Sequence, residues 1–122
     1  MEKLLKQALL FDFYGELLTE HQKQVYEEVV LEDYSLSEVA EERGISRQGV
    51  HDLIKRCNKV LSDYEDKLHL VEKFIKIQKT VEQIDALAMT KVEADDLKNA
   101  SDEYSRIMEQ IKALTDSILK EI

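Results

Sequence analysis

The run from Leu36 to Arg56, LSEVAEERGISRQGVHDLIKR, places the tightest constraint on what this chain can fold into. Counted from Leu36, Ala40 is the fifth residue, where two crossing helices approach closely and a larger side chain would force them apart. Gly44 is the ninth and falls where the chain must turn between helices with positive φ, a conformation glycine adopts without a Cβ clash. Ile45, Val50 and Leu53 supply apolar contacts that hold the second helix steeply across the first. Both starts carry capping signals. Ser35 with Glu38 makes an S-x-x-E box, and Ser46 can accept from an orphan backbone N–H of the second helix. Two helix starts, one turn and one buried face in a single register define a helix-turn-helix.

The remainder of the chain is helix-forming too. It has no proline, three glycines and 35% charged residues in a length of 122, which favours long solvated helices over sheets, so an all-α fold is expected. A first helix begins at Leu4 and ends between Phe13 and Glu16. Leu5, Ala8, Leu9 and Asp12 lie on one of its stripes, with Phe11 and Tyr14 beside it as core or dimer contacts. Thr19 and Gln22 form a T-x-x-Q capping box. The helix it opens buries Val25, Tyr26, Val29 and Val30 and ends near Glu32 to Tyr34.

Beyond Lys59 the pattern lengthens into seams. Leu61, Tyr64, Leu68, Val71 and Ile75 recur at alternating spacings of three and four, and Ile77, Val81, Ile84 and Ala88 continue a shifted stripe from Phe74. A final helix carries Leu97, Ala100, Tyr104, Ile107, Ile111, Leu114 and Ile118. Ser62 with Glu65, and Thr90 with Glu93, are candidate helix starts. The pattern leaves open whether the second motif helix runs through Ser62. The expected organisation is a helix-turn-helix domain over residues 1–66 and a helical extension over 67–122. The long seams need partners, and we read the extension as a homodimerisation region, the alternative being a hairpin folded back within one chain.

Chemistry is sparse. His21, His51 and His69 fall on different predicted helices, with no H-E-x-x-H, no C-x-x-C and no repeated Cys/His spacing, so no metal or other cofactor is expected. Gly15, Gly44 and Gly49 are isolated and form no phosphate loop. Glu41/Glu42 and Asp95/Asp96 are adjacent pairs whose side chains diverge on a helix, which fits solvated surface better than a catalytic dyad. The sequence reads as a non-enzyme. The lone Cys57, the lack of an apolar stretch of roughly 18 to 20 residues and the lack of a signal-peptide layout together predict a cytoplasmic protein without membrane insertion.

Charge is the discordant feature. The net value is −9, which repels phosphate, yet from Arg47 to Lys59 the chain carries Arg47, Lys55, Arg56 and Lys59 against Asp52, a local +3. A basic recognition helix on an acidic body predicts specific binding with little non-specific affinity and a steep salt dependence.

LLTEHQKQVYEEVVLEDYSLSEVAEERGISRQGVHDLIKR is similar to the promoter-reading fourth region of bacterial sigma factors, where an L-T-x-x-Q opening precedes the helix-turn-helix. The chain resembles the YlxM family of small bacterial helix-turn-helix proteins more closely. That resemblance lies in LFDFY at Leu10 to Tyr14, LLT at Leu17 to Thr19, EDYSLSE at Glu32 to Glu38, SRQ at Ser46 to Gln48, IKR at Ile54 to Arg56 and YEDKL at Tyr64 to Leu68. It covers roughly residues 5 to 75 and implies a sigma-like DNA-binding fold with a helical, often dimeric extension. It also implies a link to the signal recognition particle pathway. Three departures stand out: Gly49 inside the recognition helix where alanine is expected, Asp52 on the face that meets the nucleic acid, and the acidic body.

For a helix-turn-helix on duplex DNA, the geometry assigns roles. Arg47 can read guanine bidentately and Gln48 adenine, Ser46, Lys55 and Arg56 hold phosphates, and His51 and Asp52 lie one turn along. Against this stands a plain solvated surface with i,i+4 pairs such as Asp52 with Arg56. Three functions are consistent with the sequence: a DNA-binding regulator, a protein or ribonucleoprotein adaptor of the signal recognition particle that binds no specific DNA, and an RNA binder using the same basic helix.

Overall fold

The computed structural model describes residues 2–92 and 97–122. Among them there is no strand, and the expected all-α fold is found. Its elements are α1 (Lys3–Tyr14), a 3₁₀ turn (Gly15–Leu17), α2 (Glu20–Tyr26) continuing as a π-helical turn (Glu27–Leu31), α3 (Leu36–Arg43), α4 (Arg47–Leu68), α5 (Leu70–Ala88) and α6 (Leu97–Glu121). They form two compact units, residues 1–71 and 72–122.

The first unit is built on small branched side chains. Val25 of α2, Val39 and Ala40 of α3 and Val50 of α4 form a buried cluster, with Val29, Leu36, Leu53 and Ile54 packed around it. Each fully buried valine contributes about 1.5 kcal/mol or more to stability. The box at Thr19 forms as the sequence requires: the Thr19 hydroxyl accepts from the Gln22 N–H, and the Gln22 side chain accepts from the Thr19 N–H.

The α1 face differs from the expected stripe. Ala8 and Leu9 of that stripe are half-buried, but Leu5 is 52% exposed and Asp12 is exposed, whereas Leu10 and Tyr14, one helical turn apart, enter the core. Aromatic contacts decide this orientation. Phe11 stacks on Tyr26 of α2 with centroids 5.5 Å apart, and Tyr14 stacks on Tyr64 of α4 at 6.1 Å. Tyr26 then donates to Asn58 Oδ1 (2.7 Å), an atom that also accepts from Gln7 Nε2 of α1 at 3.3 Å.

Helix α4 runs for 22 residues without a break, so Ser62 starts no helix. Glu65 has a different task. Its Oε1 accepts from the Tyr14 hydroxyl (2.6 Å) and from the Val71 N–H (3.0 Å), while the Tyr14 oxygen accepts from the Leu70 N–H (3.2 Å). A carboxylate from the end of α4 and a phenol from α1 thus satisfy the first amides of α5. Burial, and then the bond to Glu65, hold the Tyr14 phenol above its ordinary value. The chain turns between α4 and α5 at His69, whose φ of 56° is left-handed. The seam expected from Leu61 to Ile75 is therefore divided at His69 between two helices.

In the second unit α5 and α6 are antiparallel: Lys76, Ile77 and Thr80 near the start of α5 share a groove with Ser117, Ile118 and Glu121 at the end of α6. Ile77, Ile84 and Leu87 of α5 and Ile107, Ile111, Leu114 and Ile118 of α6 are half-buried, and no α6 side chain is fully buried. The start expected at Thr90 with Glu93 depends on Glu93, outside the described residues.

Cys57 and Tyr26, both fully buried, are pushed up by burial to about 11 and about 12 from ordinary values of 9.0 and 10.0. The folded chain keeps these protons at a pH where the unfolded chain has begun to lose them. Their stabilising contribution is whole below the unfolded Cys value and is lost as pH rises through the folded values. Thermal melts across pH 8 to 12 are expected to show stability falling above about pH 9, and Cys57→Ala should flatten the first part of the fall. A melting temperature that stays constant to pH 11 would contradict it.

Candidate nucleic-acid interface

The turn between α3 and α4 is closed by its glycine. Gly44 has φ 68° and ψ 32°, and both its N–H and that of Ile45 reach the Ala40 carbonyl, the closure expected of a glycine-terminated helix. A Cβ placed on Gly44 would meet nothing within 4 Å, so the requirement is conformational and not one of space. Ile45 is 37% exposed and lies at the edge of the contact, while Val50 is fully buried and Leu53 half-buried.

Both caps form. Ser35 Oγ accepts from the Glu38 N–H (3.0 Å) and Ser46 Oγ from the Gly49 N–H (2.9 Å). The second bond ends on Gly49, although the equivalent caps at Thr19 and Ser35 end on Gln22 and Glu38, which carry a Cβ. Gly49 stands at the third helical position, where a Cβ would lie 3.0 Å from the Ser46 oxygen, a tight contact. Behind the motif, Arg43 of α3 donates to Gln24 Oε1 (2.9 Å) and pairs with Glu28. The pair engages through one prong, since Glu28 Oε2 and Arg43 Nε are buried without a partner.

The start of α4 presents the expected surface. Val50, Cys57 and Leu61 bury one stripe. At about 100° per residue, the opposite stripe carries Gln48, Asp52, Lys55 and Lys59, with Arg56 on one flank and His51 farther round on the other, while Arg47 lies nearer the buried stripe and is exposed at the start of the helix. Arg47, Gln48, His51, Asp52, Lys55, Arg56 and Lys59 are all exposed. Ser46 is exposed as well, with its oxygen engaged in the cap and its hydroxyl proton free to donate. Two shallow clefts divide the surface: one between Leu36, Arg47, Gln48 and His51, the other along Asp52, Lys55, Arg56 and Lys59.

Lys59 was absent from the residues assigned to the site from sequence. Its signal was its spacing, four residues after Lys55 on the same stripe. It lies 3.3 Å from Asp63. Asp52 does not pair with Arg56. Its Oδ1 accepts from Gln48 Nε2 (3.0 Å) and lies 3.6 Å from His51 Nδ1.

Other candidate chemistry does not converge. His21 lies on α2, His51 in α4 and His69 at the end of α4, and among the described residues no three His, Cys, Asp or Glu side chains cluster as metal ligands would. Glu41 and Glu42 are both exposed, and Asp95/Asp96 lie outside the described residues. No helix among the described residues is long and apolar enough to cross a membrane.

A glycine-closed turn between two capped helices, packed through valine and alanine, with the second helix presenting polar and basic side chains outward, defines a helix-turn-helix protein. Comparison with known sequences is specific about which kind. Residues 1–114 match the UPF0122 family of YlxM / p13-like helix-turn-helix proteins, and the chain belongs to that family. A UPF0122 protein of Acetivibrio thermocellus is 41% identical over 116 residues, covering 89% of this chain and 99% of its own length. One from Halalkalibacterium halodurans is 40% identical over 114 residues, covering 93% and 98%.

The contact between Ser46 and Gly49 sets up a paired test. Ser46→Ala should cost about 1 kcal/mol in urea denaturation through loss of the cap. Adding Gly49→Ala should recover most of it, because alanine gains about 1 kcal/mol of helix propensity once the opposing oxygen is gone. Strictly additive effects in the two single variants would show that the oxygen and the missing Cβ are not coupled.

Proposed function

We propose that the protein is a cytoplasmic, homodimeric DNA-binding regulator that reads duplex DNA with the first half of α4. The observation that carries this reading is the exposed stripe opposite Val50, Cys57 and Leu61, locally basic on an acidic chain. Arg47 reads guanine and Gln48 adenine from the N-terminal end of the helix, where base contacts concentrate in this motif. Ser46, Lys55 and Arg56 hold phosphates, Lys59 extends that track by one turn, and His51 and Asp52 face the groove between them. With so few cations and a net charge of −9, affinity comes from a short register of contacts, and its salt dependence is set by the roughly three or four phosphates they reach.

The dimer rests on the second unit. At about 100° per residue the apolar arc of α6 is wider than one neighbour can cover. Ile107, Ile111, Leu114 and Ile118 occupy the half-buried flank, and Leu97, Tyr104, Met108, Leu119 and Ile122 the exposed one. On α5, Val81 (48% exposed) and Ala88 stand at the corresponding flank, and in an antiparallel pair the two flanks open on the same side. A second copy related by a two-fold axis completes that face as a four-helix bundle.

An acid-rich stretch favours a second reading. Glu27, Glu28, Glu32, Asp33, Glu38, Glu41 and Glu42 precede Arg43 without an intervening cation. Such a surface suits a basic partner, and family resemblance suggests one in the signal recognition particle, with the protein serving as an adaptor.

Selection from random duplexes at about 0.15 M salt, with the particle's RNA and protein assayed in parallel, separates the readings. A regulator yields a consensus, two-fold if the dimer is intact. An adaptor enriches no duplex and binds the particle. Within the first outcome, Arg47→Ala should lower affinity by at least about 1 kcal/mol with little change in melting temperature, and unchanged affinity would remove Arg47 from the site. Sedimentation equilibrium of the full chain should give a dimer for the wild type and a monomer for Tyr104→Glu/Met108→Glu. A dimer that survives both substitutions would place the interface elsewhere.

A further inference from the structure

Asp52 is the one acid among the outward-facing residues between Ser46 and Lys59, and its surroundings do not neutralise it in the ordinary way. Arg56, at the i+4 position, is not its partner. Its Oδ1 instead receives Gln48 Nε2 at 3.0 Å and faces His51 Nδ1 at 3.6 Å, and half of the side chain remains exposed. The cleft it enters is otherwise lined by Lys55, Arg56 and Lys59. A carboxylate is an acceptor only. On a surface apposed to DNA it repels phosphate, and it also repels the base edges that present only acceptors there, N7 and O6 of guanine. The partner it can take in the major groove is an exocyclic amine, N4 of cytosine or N6 of adenine.

We propose that Asp52 is a specificity-determining residue of the recognition helix. It selects the orientation of a base pair, requiring adenine or cytosine on the strand it faces rather than the thymine or guanine of the inverted pair, and it suppresses binding to unrelated duplex. The inference rests on the DNA-reading function proposed above. The hydrogen bond to Gln48 gives Asp52 a second effect on the same readout. It fixes the Gln48 amide with one N–H toward the carboxylate, leaving the other N–H and the carbonyl to meet the neighbouring base. Gln48 is then held in one orientation before DNA arrives, so less side-chain freedom is lost on binding.

Asp52→Asn separates charge from shape, because asparagine retains an acceptor for Gln48 while adding a donor and removing the charge. Duplex selection and sequencing would be run on full-length wild type and Asp52→Asn side by side, with thermal melts to confirm that both are folded. The wild-type consensus is expected to contain a position at which one orientation of a base pair is strongly preferred over its own inversion. In Asp52→Asn that position should relax while the remaining consensus is kept, and affinity for scrambled duplex should rise by about threefold or more as one repulsive charge is lost. An Asp52→Asn consensus identical to the wild type at every position, with unchanged scrambled-duplex affinity, would overturn the role of Asp52 and leave DNA reading intact. No enriched duplex from either protein would overturn DNA reading and this inference with it.

Discussion

The close packing of α3 on α4 is the contact on which the first unit depends. It needs three things at once: a side chain no larger than alanine at position 40, a residue at 44 that accepts positive φ, and a valine at 50 that fills the resulting space. None contributes more than a few kcal/mol, but they specify one crossing geometry, because a larger group at 40 would separate the helices and a strained turn would misdirect the second. The Arg43–Glu28 contact adds direction more than strength. With one buried atom on each side left without a partner, its Coulomb attraction is set against a desolvation cost of similar size.

The local part of this arrangement was legible before any coordinates. Capping is short-range chemistry, so Thr19, Ser35 and Ser46 announced their helices, and Gly44 announced its turn. The exposed stripe of α4 followed from period and charge. What escaped was whatever depends on partners distant in the chain. The α1 stripe chosen by apolar count was outweighed by Tyr14 and Phe11, whose rings find Tyr64 and Tyr26. The Ser62–Glu65 pair had the spacing of a capping box, but Glu65 is drawn to a phenol 51 positions away. Gly49 is costly by helix propensity taken one residue at a time, and its tight approach to the oxygen of Ser46 depends on a side chain that propensity does not see.

The two units solve different problems. The first buries a compact core with side chains such as Val25, Tyr26, Val39 and Leu61 fully enclosed. The second is a helical pair whose best-covered α6 residues are only half-buried, and two helices side by side cannot enclose a core between them. On the function proposed above, the first unit would read DNA and the helical pair would assemble the dimer.

Helix α4 carries the exposed stripe of Gln48, Asp52 and Lys55 at one end and joins α5 at the other. Gln48 and Glu65 stand 17 positions apart on one unbroken helix, about 25 Å at 1.5 Å per residue. A rod of that kind has a single azimuth. Locking Glu65 against Tyr14 therefore adds a hold at the far end of α4 to the one Val50 and Cys57 supply, and the three together set the angle at which Gln48, Asp52 and Lys55 face outward.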